Sequence, residues 1–302
     1  MKLSVVTAMY RSEGFVRAFH AALSEKGRAL TEDYEIIFVD DGSPDGSARV
    51  VEEIIATDAR VRLIKLSRNF GHSAAMLAGM RKARGEYVYT SDIDLEDPPE
   101  LLTRFDEMMK EDPELQSVFG FMATRKGTAL ERWLGLIFYF VLGLLTRERI
   151  PAQVWSRLMT RKYLDALLAY SEYHLFWSGL FHHVGFKQAS VPVLRTKTGK
   201  TSYSYRKKVQ LALSAVTSFS TGPLYFIFLT GIFVSMASVV TAIVLFVVYL
   251  NGQLVPGWAS IVLSVLFTGG VTNLSIGLIG IYVGRIFIQS KQRPHFFIEK
   301  EL

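Results

Sequence analysis

The chain has 302 residues, 50% of them hydrophobic, a formal net charge of +6 and no cysteine. This length allows one sizeable domain and a further element, and the lack of cysteine excludes disulfides and thiolate metal sites. The basic residues gather beside apolar segments late in the chain and not along an aromatic-lined groove. The positive charge therefore favours contact with an anionic membrane face over binding of nucleic acid.

Short apolar runs alternate with amphipathic stretches over the first 122 residues. The pattern predicts strands at residues 3–7, 35–39, 62–66, 86–90 and 117–122, and helices at residues 13–24, 47–57, 73–84 and 100–110. This rhythm predicts an α/β fold with a mostly parallel, doubly wound sheet, in which ligands bind at the carboxyl ends of the strands. The first run lacks the long apolar core of a signal peptide, so we expect this part to stay in the cytoplasm.

Candidate binding residues follow the second and third predicted strands. Asp40 and Asp41 end the second strand, and their oxygens can accept hydrogen bonds from a base edge and ribose hydroxyls. A Pro-Asp-Gly turn that leads into an N-capped helix explains the same segment, and both descriptions can hold. Arg68 follows the third strand beside a glycine, an arrangement suited to clamping a diphosphate.

The fourth predicted strand ends in an acidic segment. Asp92, Asp94, Glu96 and Asp97 place four carboxylates within six residues. Like charges this close must be neutralised or must have their pKa values raised. Bound Mg²⁺ or Mn²⁺ would neutralise them, since hard oxygen ligands suit these ions and leave positions open for substrate phosphates. The alternative is an acidic turn that is stabilised by the dipole of the following helix.

The segments at residues 40–47, 67–79 and 92–100 resemble those of family 2 glycosyltransferases with a GT-A fold. More narrowly, they are similar to polyprenyl-phosphate glycosyltransferases, the group of dolichol-phosphate mannose synthase and bacterial undecaprenyl-phosphate glucosyltransferases. The run Asp-x-Asp-Leu-x-Asp-Pro-Pro-Glu at residues 92–100 is the most specific part of a resemblance that covers nearly the whole chain. It implies that Asp92, Asp94 and Glu96 hold the metal ion that carries the nucleotide diphosphate. The family more often has Gln in place of Glu96.

The resemblance also implies roles for the other candidates. Asp40 and Asp41 would bind the nucleoside and Arg68 the donor diphosphate, with catalytic roles for Asp94 and Arg195. In the family, a mobile loop before the membrane segments closes over the nucleotide and the lipid phosphate. The residues expected to contact phosphates there, with one more basic residue upstream, are Arg125, Arg195, Lys200, Ser202, Tyr203 and Arg206. A juxtamembrane basic patch is the simpler description of the same run, and it is compatible with phosphate binding.

Beyond residue 122 the alternation stops. Residues 133–145 form an apolar run with basic residues at its edges, too short to span a bilayer but suited to a helix lying in the membrane interface. A buried helix of the soluble core is the alternative. At residues 153–162 the chain departs from its relatives, because Trp155 stands where many of them have an Asp near the acceptor. The loss of a base matters less if the acceptor is a phosphate monoester, which is mostly ionised near neutral pH.

No charged residue lies between Lys208 and Arg285. This gap predicts two transmembrane helices, at residues 223–250 and 258–287, joined by a short Gly- and Pro-containing loop into a hairpin. Basic residues flank the outer ends of the pair and are absent from the joining loop, so both termini and the catalytic domain are predicted to be cytoplasmic, at the plasma membrane. The small residues Gly277, Gly280 and Gly284 permit close helix contact within the hairpin or in a homo-oligomer.

The sequence thus predicts four regions: a nucleotide-sugar-binding core at residues 1–128, an acceptor-side region with interfacial helices at 129–221, the hairpin at 222–290 and a tail at 291–302. The predicted activity is transfer of one sugar from a nucleotide-sugar, with UDP favoured, to polyprenyl phosphate, with inversion. Two alternatives stay open: a glycosyltransferase with another acceptor in polysaccharide synthesis, and a catalytically silent membrane scaffold. The scaffold is motivated by Trp155, and by Ile281 and Gln289 where relatives often have Glu.

Overall fold

The computed structural model describes residues 1–122, 153–173, 175, 177–193, 222–251 and 257–302. These residues form two units, one made of the described residues within 1–204 together with 293–302, and the other of those between 205 and 292. The predicted interfacial helix at residues 133–145 and the predicted phosphate-contacting loop at residues 195–206 lie outside the described residues.

The first unit is a sheet with helices on its faces. Its strands are β1 (Leu3–Met9), β2 (Tyr34–Asp40), β3 (Val61–Leu66), β4 (Tyr87–Thr90), β5 (Ser117–Met122), β6 (Gln153–Thr160), β7 (Gln188–Val193) and β8 (Ile298–Glu301). Its described helices are α1 (Glu13–Leu30), α2 (Ser47–Ile55), α3 (His72–Lys82), α4 (Glu100–Glu111), α5 (Arg161–Leu168) and α6 (Trp177–His183). Every strand and helix that the sequence predicted before residue 122 is present. The largest shift in bounds is in α1, which continues six residues beyond its predicted end at residue 24.

The eight described strands form one sheet in the order β7-β5-β6-β4-β1-β2-β3-β8. β3, β2, β1 and β4 are mutually parallel, which confirms the predicted α/β architecture. β6 is inserted antiparallel between β4 and β5, and β8 pairs antiparallel with the outer edge of β3. The sequence predicted no strand after residue 122, so β6, β7 and β8 are additions to the expected sheet.

The core is built from the two faces of β1 and β2, all of whose residues are buried. Because side chains alternate along a strand, Val5 and Phe38 join the apolar cluster that contains residues of α1, α2 and α4, whereas Val6 and Val39 face α3. β2 also buries the charge of Glu35. Its carboxylate accepts hydrogen bonds from Ser4 Oγ at 2.6 Å and Arg62 Nη1 at 2.7 Å, which offsets the cost of its burial.

The second unit contains two long helices, α7 (Gly222–Leu250) and α8 (Trp258–Ser290), at the positions that the sequence predicted. Within the described residues, Phe267–Ser290 of α8 is long and apolar enough to cross a membrane, and α7 contains a shorter apolar segment, Ile227–Thr241. Large apolar side chains on both helices are exposed, Phe233 to 74%. Apolar exposure on this scale marks a surface that meets something other than water.

The close packing of α3 on the sheet gives the first testable prediction. A Cβ atom at Gly79 would lie 2.4 Å from Val6 Cγ1 and 2.9 Å from Val39 Cγ2. We expect Gly79→Ala to destabilise the purified full-length chain by about 1–3 kcal/mol, because overpacking forces strand and helix apart. Thermal unfolding in detergent, followed by tryptophan fluorescence, measures this.

The matched control is Gly14→Ala in α1, where an added Cβ meets no atom within 4 Å. Alanine favours a helix over glycine, so the melting temperature of this variant should be unchanged or slightly raised. Equal melting temperatures for the two variants would contradict the packing of α3 described above.

Candidate functional site

The carboxyl ends of the parallel strands meet at one edge of the sheet, called the ligand edge below. Met9 of β1 is paired with Asp40 of β2, and Val6 of β1 with Thr90 of β4. The loops that follow β2, β3 and β4 therefore begin at this edge. These loops carry the acidic and basic residues that the sequence selected as candidates.

Asp40 has a buried carboxylate at the ligand edge. One oxygen, Oδ1, accepts the N–H of Ser43 at 3.0 Å, and the other, Oδ2, has no hydrogen-bond partner among the described residues. Burial raises the pKa of Asp40, and the hydrogen bonds from Ser43 oppose the shift only in part. A buried acceptor without a donor is costly in a folded protein, so this oxygen is a candidate acceptor for a ligand at the edge.

Asp41 has a different role, because both of its oxygens are engaged by the loop after β3. The N–H of Phe70 donates to Oδ1 at 2.7 Å and the N–H of Gly71 donates to Oδ2 at 2.9 Å. Gly42 permits this approach: it has φ +65°, and a Cβ there would lie 2.6 Å from the carbonyl carbon of Arg68. Asp41 and Gly42 thus fix the loop after β3 against the loop after β2.

Arg68 lies in the loop that Asp41 holds. Its guanidinium stacks 4.1 Å from the centre of the Phe70 ring and donates to the carbonyl of Asn69 at 3.1 Å. The side chain is exposed, so guanidinium N–H groups remain accessible to a ligand at the edge. The stacked ring restrains the cation without neutralising it.

The acidic loop after β4 lies beside His72, the first residue of α3. Asp92 Oδ1 lies 3.4 Å from His72 Nε2, and Asp94 Oδ1 accepts the N–H of Glu96 at 3.0 Å across a turn in which Leu95 has φ +55°. Desolvation lowers the pKa of His72, against the charge of Asp94, so the ring is neutral at neutral pH. Within the described residues, no three His, Asp or Glu side chains are grouped closely enough to hold a metal ion by themselves.

β6 fixes the acidic loop from the other side. Asp97 is buried and accepts a hydrogen bond from Ser156 Oγ at 2.6 Å, and Ser156 Oγ lies 3.3 Å from Ser91 Oγ. Thr90 Oγ1 donates to the carbonyl of Trp155 at 2.7 Å. The two ends of the segment that carries Asp92 and Asp94 are therefore bonded to one strand that the sequence did not predict.

Trp155 brings an aromatic cluster to the acidic loop. Its ring lies edge-on to His72 with centroids 4.8 Å apart, and it also contacts Trp177 and Phe181 at 5.9 and 6.3 Å. Trp155 is half-buried. The chain therefore has an aromatic wall next to His72, which itself contacts Asp92.

Arg157, two residues further along β6, is a fully buried cation that sequence reasoning assigned no role. It donates to Ser117 Oγ at 2.7 Å and Gln188 Oε1 at 2.8 Å, and it stacks on Phe119 and Phe181 at 4.4 and 4.1 Å. Burial lowers the pKa of Arg157 to about 10, so it stays charged at neutral pH. It joins β5, β6, β7 and α6, and the signal that could have identified it is an Arg inside an otherwise apolar run.

The structure thus places five predicted site residues at the ligand edge: Asp40, Asp41, Arg68, Asp92 and Asp94. Glu96 lies in the same loop, and it does not complete a group of three close metal ligands with Asp92 and Asp94. The remaining predicted site residues lie outside the described residues, namely Arg125, Arg195, Lys200, Ser202, Tyr203 and Arg206. Their roles stay predictions.

Comparison with known proteins identifies the class of enzyme. The sequence profile of glycosyl transferase family 2 matches residues 4–168. A protein described as a putative glycosyltransferase of Mycobacterium tuberculosis (strain CDC 1551 / Oshkosh) is 39% identical, over 99% of this chain and 88% of its own length. The bactoprenol glucosyl transferase of Shigella phage SfV is 30% identical, over 100% of this chain and 99% of its own. The chain therefore belongs to glycosyl transferase family 2, and it is a glycosyltransferase.

A solved structure confirms the fold. Glucosyl-3-phosphoglycerate synthase from Mycobacterium tuberculosis, in complex with Mn²⁺ and UDP-glucose, superimposes with a TM-score of 0.52 at 18% identity, over 72% of this chain and 77% of that one. At this identity the likeness concerns the fold alone, which is the GT-A fold that the sequence predicted.

The two neighbouring acids give a paired prediction. Asp41→Asn leaves one oxygen for two N–H donors, so we expect a loss of about 1–3 kcal/mol in the free energy of unfolding. Asp40→Asn should instead raise stability at neutral pH, because it removes a buried charge. Urea unfolding of the detergent-purified chain compares the two.

The pH dependence provides a check on Asp40. Its pKa is raised in the folded protein, so the ionised carboxylate destabilises the fold at pH values above that pKa, and the penalty disappears as the pH falls through it. The stability advantage of Asp40→Asn should therefore shrink as the pH is lowered. If Asp40→Asn stayed more stable than the wild type by the same amount down to acidic pH, the raised pKa of Asp40 would be contradicted.

Proposed function

We propose that this glycosyltransferase moves one sugar from a nucleotide-sugar, with UDP-sugars favoured, to polyprenyl phosphate at the cytoplasmic face of the plasma membrane. The observation that carries the proposal is the buried, unsatisfied Oδ2 of Asp40 at the ligand edge. It calls for a ligand with an N–H or O–H donor that reaches the end of β2. A nucleoside has both, on its base edge and on its ribose.

The donor would occupy the ligand edge with its base toward β2. Asp40 accepts the hydrogen bond from the nucleoside, and Asp41 positions the loop after β3 so that Arg68 reaches the diphosphate. Arginine suits this role because its planar fork can form two hydrogen bonds to phosphate oxygens. The preference for UDP comes from the resemblance to bacterial members, and the GT-A structure of the Mycobacterium tuberculosis synthase contains UDP-glucose.

A divalent cation, Mg²⁺ or Mn²⁺, fits the acidic loop. Mg²⁺ in phosphate-transfer sites is commonly held by one or two protein carboxylates, substrate phosphates and water, so Asp92 and Asp94 suffice without a third protein ligand. When bound, the cation would offset the charge that develops on the departing nucleoside diphosphate. Glu96, in place of the more usual Gln, adds a negative charge to this loop and would shift the preference among metals.

Two observations support polyprenyl phosphate as the acceptor: the description of one relative, and the presence of Trp155 in place of an acid. A relative that matches this chain end to end is described as a bactoprenol glucosyl transferase, and bactoprenol is a polyprenol. A lipid phosphate needs no general base, because it is mostly ionised near neutral pH. The apolar wall of Trp155 is therefore compatible with transfer. The phosphate would be held by the residues predicted for the loop, with Arg195, Ser202 and Tyr203 first among them.

The reaction is a single displacement. A phosphate oxygen of the lipid attacks the anomeric carbon, the bond from that carbon to the donor diphosphate breaks, and the nucleoside diphosphate departs with the electron pair. The configuration at the anomeric carbon is inverted, and no covalent enzyme intermediate forms. Asp94 and Arg195 would be the catalytic residues, acting through orientation and charge.

The membrane arrangement supports an acceptor dissolved in lipid. We infer that α7 and α8 both cross the bilayer, with both termini and the catalytic unit on the cytoplasmic side. Basic residues mark the outer end of α8, with Arg285 near its end and Lys291 and Arg293 just beyond it. Gly277, Gly280 and Gly284 leave space for an added Cβ along α8, which is compatible with helix contacts in a homo-oligomer.

The Asp-x-Asp pair gives the sharpest test of catalysis. Asp94→Ala should lower the rate of sugar transfer by about 10²–10³-fold, as the loss of one strong electrostatic contact to a transition state commonly does. Glu107→Ala is the matched control, since Glu107 is an exposed acid on α4 that pairs with Arg104. Near wild-type transfer by Asp94→Ala would refute the metal assignment.

Calorimetric titration with Mn²⁺ and UDP or GDP separates an enzyme from a silent scaffold, for which no metal-dependent binding is expected.

The acceptor is tested by product analysis. Purified protein is incubated with polyprenyl phosphate, a panel of nucleotide-sugars and Mn²⁺, and the lipid product is identified by mass. We expect one sugar added per lipid phosphate, no transfer to the matching polyprenol that lacks phosphate, and loss of transfer when EDTA removes the metal. Free sugar or a polymer as the only product would overturn the acceptor assignment.

A further inference from the structure

β8 joins the segment after α8 to the outer edge of the catalytic sheet. It pairs antiparallel with β3, with Glu301 opposite Ile64 and Ile298 opposite Leu66. Because the pairing is antiparallel, the start of β8 lies at the ligand edge and its end lies at the opposite edge of the sheet. α8 ends at Ser290, so residues 291–297 of the chain connect its end to the start of β8.

The far end of β8 is anchored by charge. Glu301 binds Arg62 at 2.7 Å and Lys82 at 2.6 Å, and Arg62 also binds the buried Glu35. Along the strand, Lys300 pairs with Glu52 of α2 at 2.9 Å. These contacts stabilise the β8 pairing that covers the edge of β3, which would otherwise present unpaired backbone groups. They fix the position of β8 without involving the ligand edge.

The near end of β8 contacts the loop that carries Arg68. The N–H of Ser67 donates to the carbonyl of Phe297 at 3.0 Å, and the rings of Phe297 and Phe70 lie 6.3 Å apart at 52°. The opposite face of the same loop is held by Asp41. Phe70 is thus bonded through its backbone to Asp41, packed against Phe297 through its ring, and stacked with Arg68.

We propose that Phe297 is a positioning residue for donor binding, which orients Arg68 through the ring of Phe70. This inference rests on the proposed function, in which Arg68 contacts the donor diphosphate. Phe297 itself is 58% exposed, so its ring contributes little to the core, and we expect its truncation to leave the fold intact. The effect of the truncation should be confined to the loop at residues 67–71, which Phe297 contacts.

The experiment compares three variants of the full-length chain in detergent. Phe297→Ala removes the ring, Phe297→Tyr keeps it, and Phe296→Ala removes the neighbouring ring, which lies over Arg81 instead. Calorimetry measures UDP binding with Mn²⁺, steady-state kinetics give KM and kcat for the donor, and hydrogen exchange reports on the amides of residues 67–71.

Phe297→Ala should weaken UDP binding and raise KM by about 3- to 10-fold, in line with the strength of one aromatic pair, with kcat little changed. Exchange at Phe70 and Gly71 should become faster, whereas Phe297→Tyr and Phe296→Ala should resemble the wild type.

The outcomes separate the positioning role of Phe297 from the proposed donor site. Wild-type UDP affinity and exchange in Phe297→Ala would overturn the positioning role while leaving the donor site intact. Equal losses in Phe297→Ala and Phe296→Ala would also overturn it, since the effect would then be general to the tail. If the wild-type chain binds neither UDP nor GDP, the proposed donor site fails, and the exchange rates alone then decide whether Phe297 restrains the loop.

Discussion

The ligand edge depends on one buried carboxylate, Asp41, which accepts the N–H groups of both Phe70 and Gly71. The backbone hydrogen bonds of a sheet stop where its strands stop. The loops that follow are therefore free to diverge unless a further contact joins them. Asp41 joins the loop after β3 to the end of β2, and the absence of a side chain at Gly42 lets the two backbones approach. The orientation of Arg68 and the start of α3 follow from this junction. Burial raises the pKa of Asp41, and the two hydrogen bonds oppose that shift by favouring the charged form.

The parallel half of the fold could be predicted from the sequence because its strands are apolar on both faces and are separated by amphipathic helices. The candidate acids could be located for the same reason, since the carboxyl ends of parallel strands must share an edge. β6 was missed because Ser156 and Arg157 occupy buried positions in it, each satisfied by partners far away in the chain. β8 was missed because its residues Ile-Glu-Lys-Glu show no apolar alternation, and its pairing depends on ion pairs with Arg62, Lys65 and Lys82. In both cases polar contacts across long sequence separations, which a local pattern does not encode, stabilise the strand.

Trp155 gives the site an asymmetric character. On the side of β2 and β3, the ligand edge is polar, with Asp40, Asp41 and Arg68. On the side of β6, His72, Trp155, Trp177 and Phe181 form a continuous aromatic surface beside Asp92. Aromatic walls exclude water and strengthen electrostatic interactions in the neighbouring acidic loop. The aromatic side therefore gives the Asp-x-Asp pair of this chain a drier environment than a polar side chain at Trp155 would.

The position of β8 in the chain has a consequence for how the protein is made. Synthesis proceeds from the N-terminus, and domains that can fold early do so. Here the strand that completes the sheet follows both apolar helices, and the bond from Arg62 to Glu301 joins residues 239 positions apart. Until α8 has been synthesised, β3 has an open edge and the loop with Arg68 lacks the contact with Phe297. The donor side can therefore reach its final structure only after both apolar helices have been synthesised. A chain interrupted before residue 293 would carry every acid of the ligand edge, but its sheet would lack β8.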